Sequence, residues 1–192
     1  MYKITFDMLS PIVYYDLPIF DSIMSYCKYQ EYKQFSDFHT PHGDEIIEFV
    51  LPLKKYELGF YLASYMCFDE NIEGEDAWRK QWESKHDDIV DFGKAQRKIN
   101  VGSGQFKSYD IPFVTYHSKQ VWFYFDGDKE AVEHLVKKYL NGIGKKSIIG
   151  YGNFSKFNIT ESDQEQMLYY RPLPLSFLKD NLKKLEGFTL TS

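Results

Sequence analysis

Along residues 2–9, Ile4, Phe6 and Met8 alternate with Lys3, Thr5 and Asp7. A period of two puts the apolar set on one face of a half-buried strand, so Tyr2 to Leu9 is expected to open the fold as a strand. The period then lengthens. Ile19, Ile23, Tyr26 and Cys27 share one face at helical spacing, and Pro18 suits the first turn of that helix, where its missing N–H costs nothing. Ile46 to Leu51 and Leu58 to Phe68 are aromatic and β-branched runs, read as paired strands. Residues 69–110 break the pattern: they are polar, carry Trp78, Trp82 and Phe92, and contain Gly102 and Gly104. They read as an inserted arm or lobe, partly helical near Ala77 to Val90. Val121 to Phe125 is a strand. Lys129 to Asn141 is a helix whose stripe is Ala131, Val132, Leu135, Val136 and Leu140. Tyr151 to Ile159 supplies a last strand, its register left open by Phe154 and Phe157, which do not alternate. Beyond Ile159 the pattern is irregular, with an extended Arg171-Pro172-Leu173-Pro174 and a short basic helix near Leu178 to Leu185.

The order is β-α-β-β-insert-β-α-β. With the insertion and the extra hairpin pairing set aside, it approximates the β-α-β-β-α-β plan of ferredoxin-like α+β domains. RNA-recognition domains share that plan and stack bases on the aromatics of their sheet. A length of 192 residues suits one domain over 1–192, with 69–110 as the insertion.

Between the last helix and the last strand lies Gly142-Ile-Gly144-Lys145-Lys146-Ser147-Ile-Ile-Gly150-Tyr151-Gly152. Glycine opens positive φ and lets another backbone approach, and paired lysines add charge where loop N–H groups can face an anion. The segment is not a Walker A loop. Tyr139 stands where that motif needs glycine, and a P-loop follows a strand and opens a helix, the reverse of the order here. The same order excludes a dinucleotide fingerprint. A helix stop at Gly142 and a tight turn explain one or two glycines, but not four with two lysines. A loop shaped to hold phosphates accounts for the whole set.

Net charge is −5, so the total does not announce a nucleic-acid binder, but its distribution is uneven. Lys94, Arg97, Lys98 and Lys107 fall in a stretch without an acid, as do Lys145, Lys146 and Lys156. Acids gather in 69–76, 126–133 and 161–165. Such segregation steers a polyanion to one face despite a negative sum, though a charge run alone is equally a solvated surface. Cys27 and Cys67 form no C-x-x-C pair and no zinc set, so no metal or cofactor is expected. Without a signal core, transit character or long apolar run, a cytoplasmic home is the expectation.

Helix, then G-x-G-K-K-S-x-x-G-Y-G, then strand resembles the C-terminal glycine-rich loop of the CRISPR-associated RAMP superfamily. Ser10-Pro11-Ile12 through Leu17-Pro18-Ile19-Phe20-Asp21-Ser22-Ile23-Met24-Ser25-Tyr26 resembles the first strand and helix of the small RAMP subunit of type IV CRISPR effectors. Trp82, Asp91-Phe92-Gly93-Lys94, Ser103-Gly104-Gln105-Phe106-Lys107-Ser108-Tyr109 and Arg171-Pro172-Leu173-Pro174 resemble the same subunit, in the same order. The resemblance implies a ferredoxin-like (RRM-like) RAMP fold and a non-catalytic subunit of an antiviral ribonucleoprotein. It would bind the repeat-derived 5′ handle of a guide RNA, cap the backbone of the complex, contact neighbouring CRISPR subunits, and meet target DNA through the complex. The RNA-binding residues it implies are Gly142, Gly144, Lys145, Lys146, Ser147, Gly150, Tyr151 and Gly152 in the loop. In the arm they are Lys94, Arg97, Lys98, Phe106, Lys107 and Tyr109, which combine cations and rings as an RNA clamp does. For Tyr151, stacking on a base competes with burial in the first turn of the strand.

Two rivals come from other classes. Related RAMP proteins are metal-independent endoribonucleases that mature guide RNA, a reaction needing a titratable base and acid. His39 and His42, around Pro41, are then the candidates, with His117 behind them; His86 sits among Lys85, Asp87 and Asp88 and is expected to face solvent. The other rival is an interaction module with no RNA role, which the abundance of Tyr and Trp also suits.

Overall fold

The computed structural model describes residues 1–35, 49–81, 102, 107–173 and 177. Strand β1, Tyr2–Met8, buries Ile4 and Phe6 completely, the face its alternation marks. Its neighbours are β5, Gln120–Phe125, and β6, Phe154–Glu161, both antiparallel to it. Ile4 lies opposite Phe123 and Ile159, and Phe6 opposite Val121 and Phe157, so one face of three strands is continuously apolar. The two-residue β2, Cys67–Phe68, extends the sheet beyond β5, giving the order β2-β5-β1-β6.

Two helices contribute to the same core. Helix α1, Phe20–Phe35, buries Phe20, Ile23, Met24 and Cys27; α2, Lys129–Tyr139, buries Val132, Leu135, Val136 and Tyr139. Both sets follow the helical period. The Phe20 ring sits 5.3 Å from Phe123 and 5.1 Å from Phe125, tying α1 to β5. Each fully buried side chain of this size contributes roughly 1.5–3 kcal/mol, so this shared face dominates the stability of the body. The Asp128 side chain caps α2 by accepting from the N–H groups of Glu130 and Ala131 at 3.0 and 3.1 Å.

Contacts divide the chain into Met1–Ile72 with Tyr116–Ser192, and Glu73–Thr115. The second unit is built on β3, Ile72–Lys80, paired with β4, Tyr109–His117. Within it the Trp78 indole N–H donates to the Tyr109 hydroxyl at 2.9 Å, and Arg79 pairs with Asp110 at 3.2 Å. The molecule is therefore α+β, with antiparallel pairing throughout the four-stranded sheet.

Several expectations need correction. The run 58–68 is not a strand, apart from Cys67–Phe68. Its N–H donors go to different segments: Leu62 to Lys54, Ser64 to Tyr124, Tyr65 to Tyr170 and Met66 to Pro18. Gly59 turns the chain at φ +90°, and the Ser64 hydroxyl takes the place of a ladder acceptor for the Tyr124 N–H. Residues 49–51 are not a strand either, and 46–48 lie outside the described residues. Pro18 precedes α1 rather than entering it, because the bridge between Ile19 and Tyr65 keeps the chain extended until Phe20. Ala77 to Lys80, expected as helix, belongs to β3, held by its ladder with β4; residues 82–90 lie outside the described residues, as does the basic helix placed at 178–185.

Candidate nucleic-acid interface

Helix α2 ends at Tyr139, capped by Leu140, and the chain needs only a short span to enter β6 at Phe154. The glycine segment fills it. Ile143 is fully buried and anchors the loop in the core; its N–H donates to the Gly152 carbonyl at 2.9 Å. Two further bonds fasten the loop to the segment after β1: Lys145 N–H to Val13 O at 2.6 Å, and Gly152 N–H to Pro11 O at 2.7 Å. These approaches explain two glycines. A Cβ on Gly144 would stand 2.6 Å from the Val13 carbonyl oxygen, and one on Gly152 would stand 1.9 Å from the Ile143 carbonyl oxygen.

Above this base the chain makes a single 3₁₀ turn, Ser147–Ile149, closed by the Gly150 N–H donating to Ser147 O at 3.1 Å. Lys146, which precedes the turn, holds φ +62°, the one positive φ outside glycine among the described residues. A side chain in that region carries a conformational cost of about 1–3 kcal/mol, and such outliers collect where a loop is shaped for a ligand. The N–H groups of Ser147 and Ile148 donate to no protein acceptor among the described residues. Lys145 is exposed, and Ile148 is 100% exposed at the tip.

The electrostatics differ from the sequence expectation at one place. Lys156 does not add its charge to the loop: it pairs with Asp7 across β1 and β6 at 3.2 Å. The Asp7 carboxyl is held below its ordinary value, chiefly by the hydrogen bond from the Gln120 side chain at 2.7 Å and then by Lys156. The positive charge of the loop therefore rests on Lys145 and Lys146.

The structure thus brings Gly142, Gly144, Lys145, Lys146, Ser147, Gly150, Tyr151 and Gly152 into one loop. Lys107 and Tyr109 precede or belong to β4 in the second unit, where the Tyr109 hydroxyl already accepts from Trp78. Lys94, Arg97, Lys98 and Phe106 lie outside the described residues, as do His39, His42 and His86; His117 is exposed at the end of β4. Among the described residues no three His, Cys, Asp or Glu side chains are grouped to hold a metal, and no helix is long and apolar enough to cross a membrane.

One site residue was missed in the sequence. Tyr15, 71% exposed, lies under Lys145, whose Nζ is 4.0 Å from the ring centroid. A Tyr-Tyr pair following the first strand was the available signal, but nothing local said which ring would face outward.

A family model for the CRISPR type IV associated protein Csf3 matches residues 1–186. The chain belongs to that family, in agreement with the type IV resemblance of its ordered motifs. No curated protein matches it.

Proposed function

We propose that this chain is a ferredoxin-like RAMP subunit of a type IV CRISPR ribonucleoprotein. It binds the 5′ handle of the guide RNA through the 142–152 loop and caps the backbone of the complex without cleaving RNA. The strand order β2-β5-β1-β6 supports the fold, because each helix links two strands that have a third between them, as in the split βαβ units of that plan. Membership in a type IV CRISPR-associated family supports the setting. Neighbouring CRISPR subunits and, through the complex, target DNA are its partners in this reading, and the cytoplasm its compartment.

The observation that carries the RNA role is the tip of the loop. Two adjacent lysines, one in a left-handed conformation, stand beside the N–H groups of Ser147 and Ile148, on a base fixed by three backbone hydrogen bonds. Successive N–H groups in such a turn form a concave anion site, and a rigid base means that little ordering is needed on binding. No acid lies between Asn141 and Phe157 to oppose a phosphate.

The test is Lys145→Ala with Lys146→Ala in the full chain, titrated with CRISPR repeat RNA from its own locus at several salt concentrations. Each phosphate contact on a single strand contributes about 0.7 to the slope of log affinity against log salt, so the double variant should flatten it by about 1.4. An unchanged slope would take the loop out of the RNA site. The RNA should remain whole on a denaturing gel; cleavage products would refute the non-catalytic role.

A further inference from the structure

We infer that Tyr15 is a nucleobase-stacking residue, and that Tyr15 with Lys145 forms a single nucleotide-sized contact beside the loop tip. The inference rests on the RNA reading of the loop given above and adds to it a residue and a mode of recognition.

The geometry starts with the backbone. Residues 12 and 13 run as an extended piece between two partners: Ile12 bridges Tyr116 on one side and Val13 bridges Lys145 on the other. The Ile12 and Val13 side chains are both buried, and the chain bends after Tyr14. Tyr14 goes inward, stacking on Tyr116 at 4.2 Å and 17°, and its hydroxyl donates to Asn71 at 3.3 Å. Tyr15 is sent outward. The 2.6 Å bond from Lys145 N–H to Val13 O fixes the two backbones against each other and so brings the Lys145 side chain within reach of the Tyr15 ring.

Tyr14 shows what a structural tyrosine looks like here: a stacked ring and a bonded hydroxyl. Tyr15 has neither among the described residues, and Lys145 alone is its partner. A ring left 71% exposed, with a cation on it, offers two things at once. The uncovered aromatic surface takes a base by stacking, which every base permits because each has a π-face. The ammonium takes the phosphate of the same or the next nucleotide. Lys146 and the tip N–H groups continue the positive surface, while Ile148 adds an apolar contact at its edge. An acidic protein segment would satisfy the lysines but would leave the ring without a flat partner.

The experiment measures binding of fluorescein-labelled repeat RNA from its own locus to the full chain, comparing Tyr15→Ala, Tyr15→Phe and Tyr15→Trp with the lysine double variant. Circular dichroism melting checks that each variant is folded. Tyr15→Ala should weaken binding by roughly 5- to 150-fold, the range of one lost stack, with the salt slope unchanged because a stack releases no counterions. Phe and Trp should retain binding. In a scan of single abasic nucleotides, one position should lose affinity in the unaltered chain and lose nothing further with Tyr15→Ala.

Tight binding by Tyr15→Ala, alongside a flattened slope in the lysine variant, would overturn the stack and leave the loop reading intact. A flattened slope in Tyr15→Ala itself would also overturn it, because Tyr15 would then only position Lys145. Weak binding by Tyr15→Phe would assign the effect to the hydroxyl instead. No binding by the unaltered chain would remove both the stack and the reading beneath it.

Discussion

Gly152→Ala tests how the loop is built. Gly152 holds φ +68°, and a Cβ there would lie 1.9 Å from the Ile143 carbonyl oxygen. That neighbour is backbone, so no change of rotamer relieves the contact. Separating the two strands of the loop breaks Ile143 N–H to Gly152 O and strains Gly152 N–H to Pro11 O. The left-handed conformation costs alanine roughly 1–2 kcal/mol. The two hydrogen bonds contribute about 1–3 kcal/mol together. Ile143, now fully buried, loses up to about 3 kcal/mol as it lifts from the core. The loss is therefore about 2–8 kcal/mol, a large part of the roughly 5–15 kcal/mol that stabilises an ordinary domain. Gly150→Ala is the matched control: φ is +104°, but no heavy atom lies within 4 Å of the added Cβ. Only conformational strain remains there, about 1–3 kcal/mol. In urea unfolding followed by circular dichroism, with a slope of about 2–3 kcal/mol per molar, Gly152→Ala should lower the midpoint by about 1–4 M. It should fall below the Gly150→Ala midpoint. A Gly152→Ala midpoint equal to or above that of Gly150→Ala would refute the close-approach argument, and with it the account of why glycine stands at 152.

Arg171 is another strong local constraint: its guanidinium meets Asp21 at 2.8 Å and the Tyr61 carbonyl at 2.7 Å, with both charged side chains mostly buried. Arg171→Ala strands the Asp21 charge and should cost about 3–5 kcal/mol in the same urea assay, with Asp21→Asn in the Ala background restoring part of it; an effect below about 1 kcal/mol would contradict the pairing. Burial pushes the Cys27 thiol up to about 12 and that of the half-buried Cys67 to about 11, so Cys27 should resist a thiol reagent at pH 8 until the chain unfolds while Cys67 labels slowly; rapid labelling of Cys27 in the native chain would contradict its burial. Asp7 and Asp69 are both held below the ordinary aspartate value of 3.8, Asp7 mainly by Gln120 and Asp69 mainly by the Ser118 hydroxyl. Their contribution to stability should be complete above pH 3.8 and be lost as pH falls through the lower folded values, and carboxyl NMR titration should place both midpoints under 3.8.

Sequence patterning identified β1 and α2 because their burial follows one clean period, and β5 because its run is apolar and mostly buried. It misread 58–68 because hydrophobicity marks burial, whereas a strand requires a continuous ladder; here successive N–H groups are spent on Lys54, Tyr124, Tyr170 and Pro18. It misread β3 because Glu73, Glu75, Asp76, Arg79 and Lys80 lie in a two-stranded sheet with little burial on either side, so no alternation is imposed. It passed over β4, where Pro112 and exposed Ile111 mask a strand. The loop was legible for the opposite reason. Positive φ and backbone approach leave glycine as nearly the sole solution, so the geometry is written into the residue type. Tyr15 under Lys145 and Lys156 on Asp7 were not legible, because each pairing is made by strands that meet only in the fold.

The segment after β1 serves the fold and the proposed site together. Pro11 and Val13 carbonyls hold the loop, Ile12 and Val13 fill the core, and Tyr15 reaches out beside Lys145. Substitutions at Gly144, Gly152 or Ile143 therefore change the scaffold and the tip at once, and a loss of RNA binding in them would say nothing about contact. Lys145, Ile148 and Tyr15 differ, since their side chains project from a base held by backbone hydrogen bonds that those side chains do not make. Removing them should leave the unfolding midpoint nearly unchanged, as exposed substitutions away from such features usually do, within about 0.5 kcal/mol. If function resides at this tip, stability and RNA affinity will separate: the glycine variants lose both, while the Tyr15 and lysine variants lose affinity alone. A Tyr15 or Lys145 variant that unfolds as easily as Gly152→Ala would place these side chains in the scaffold and empty the tip of its proposed role.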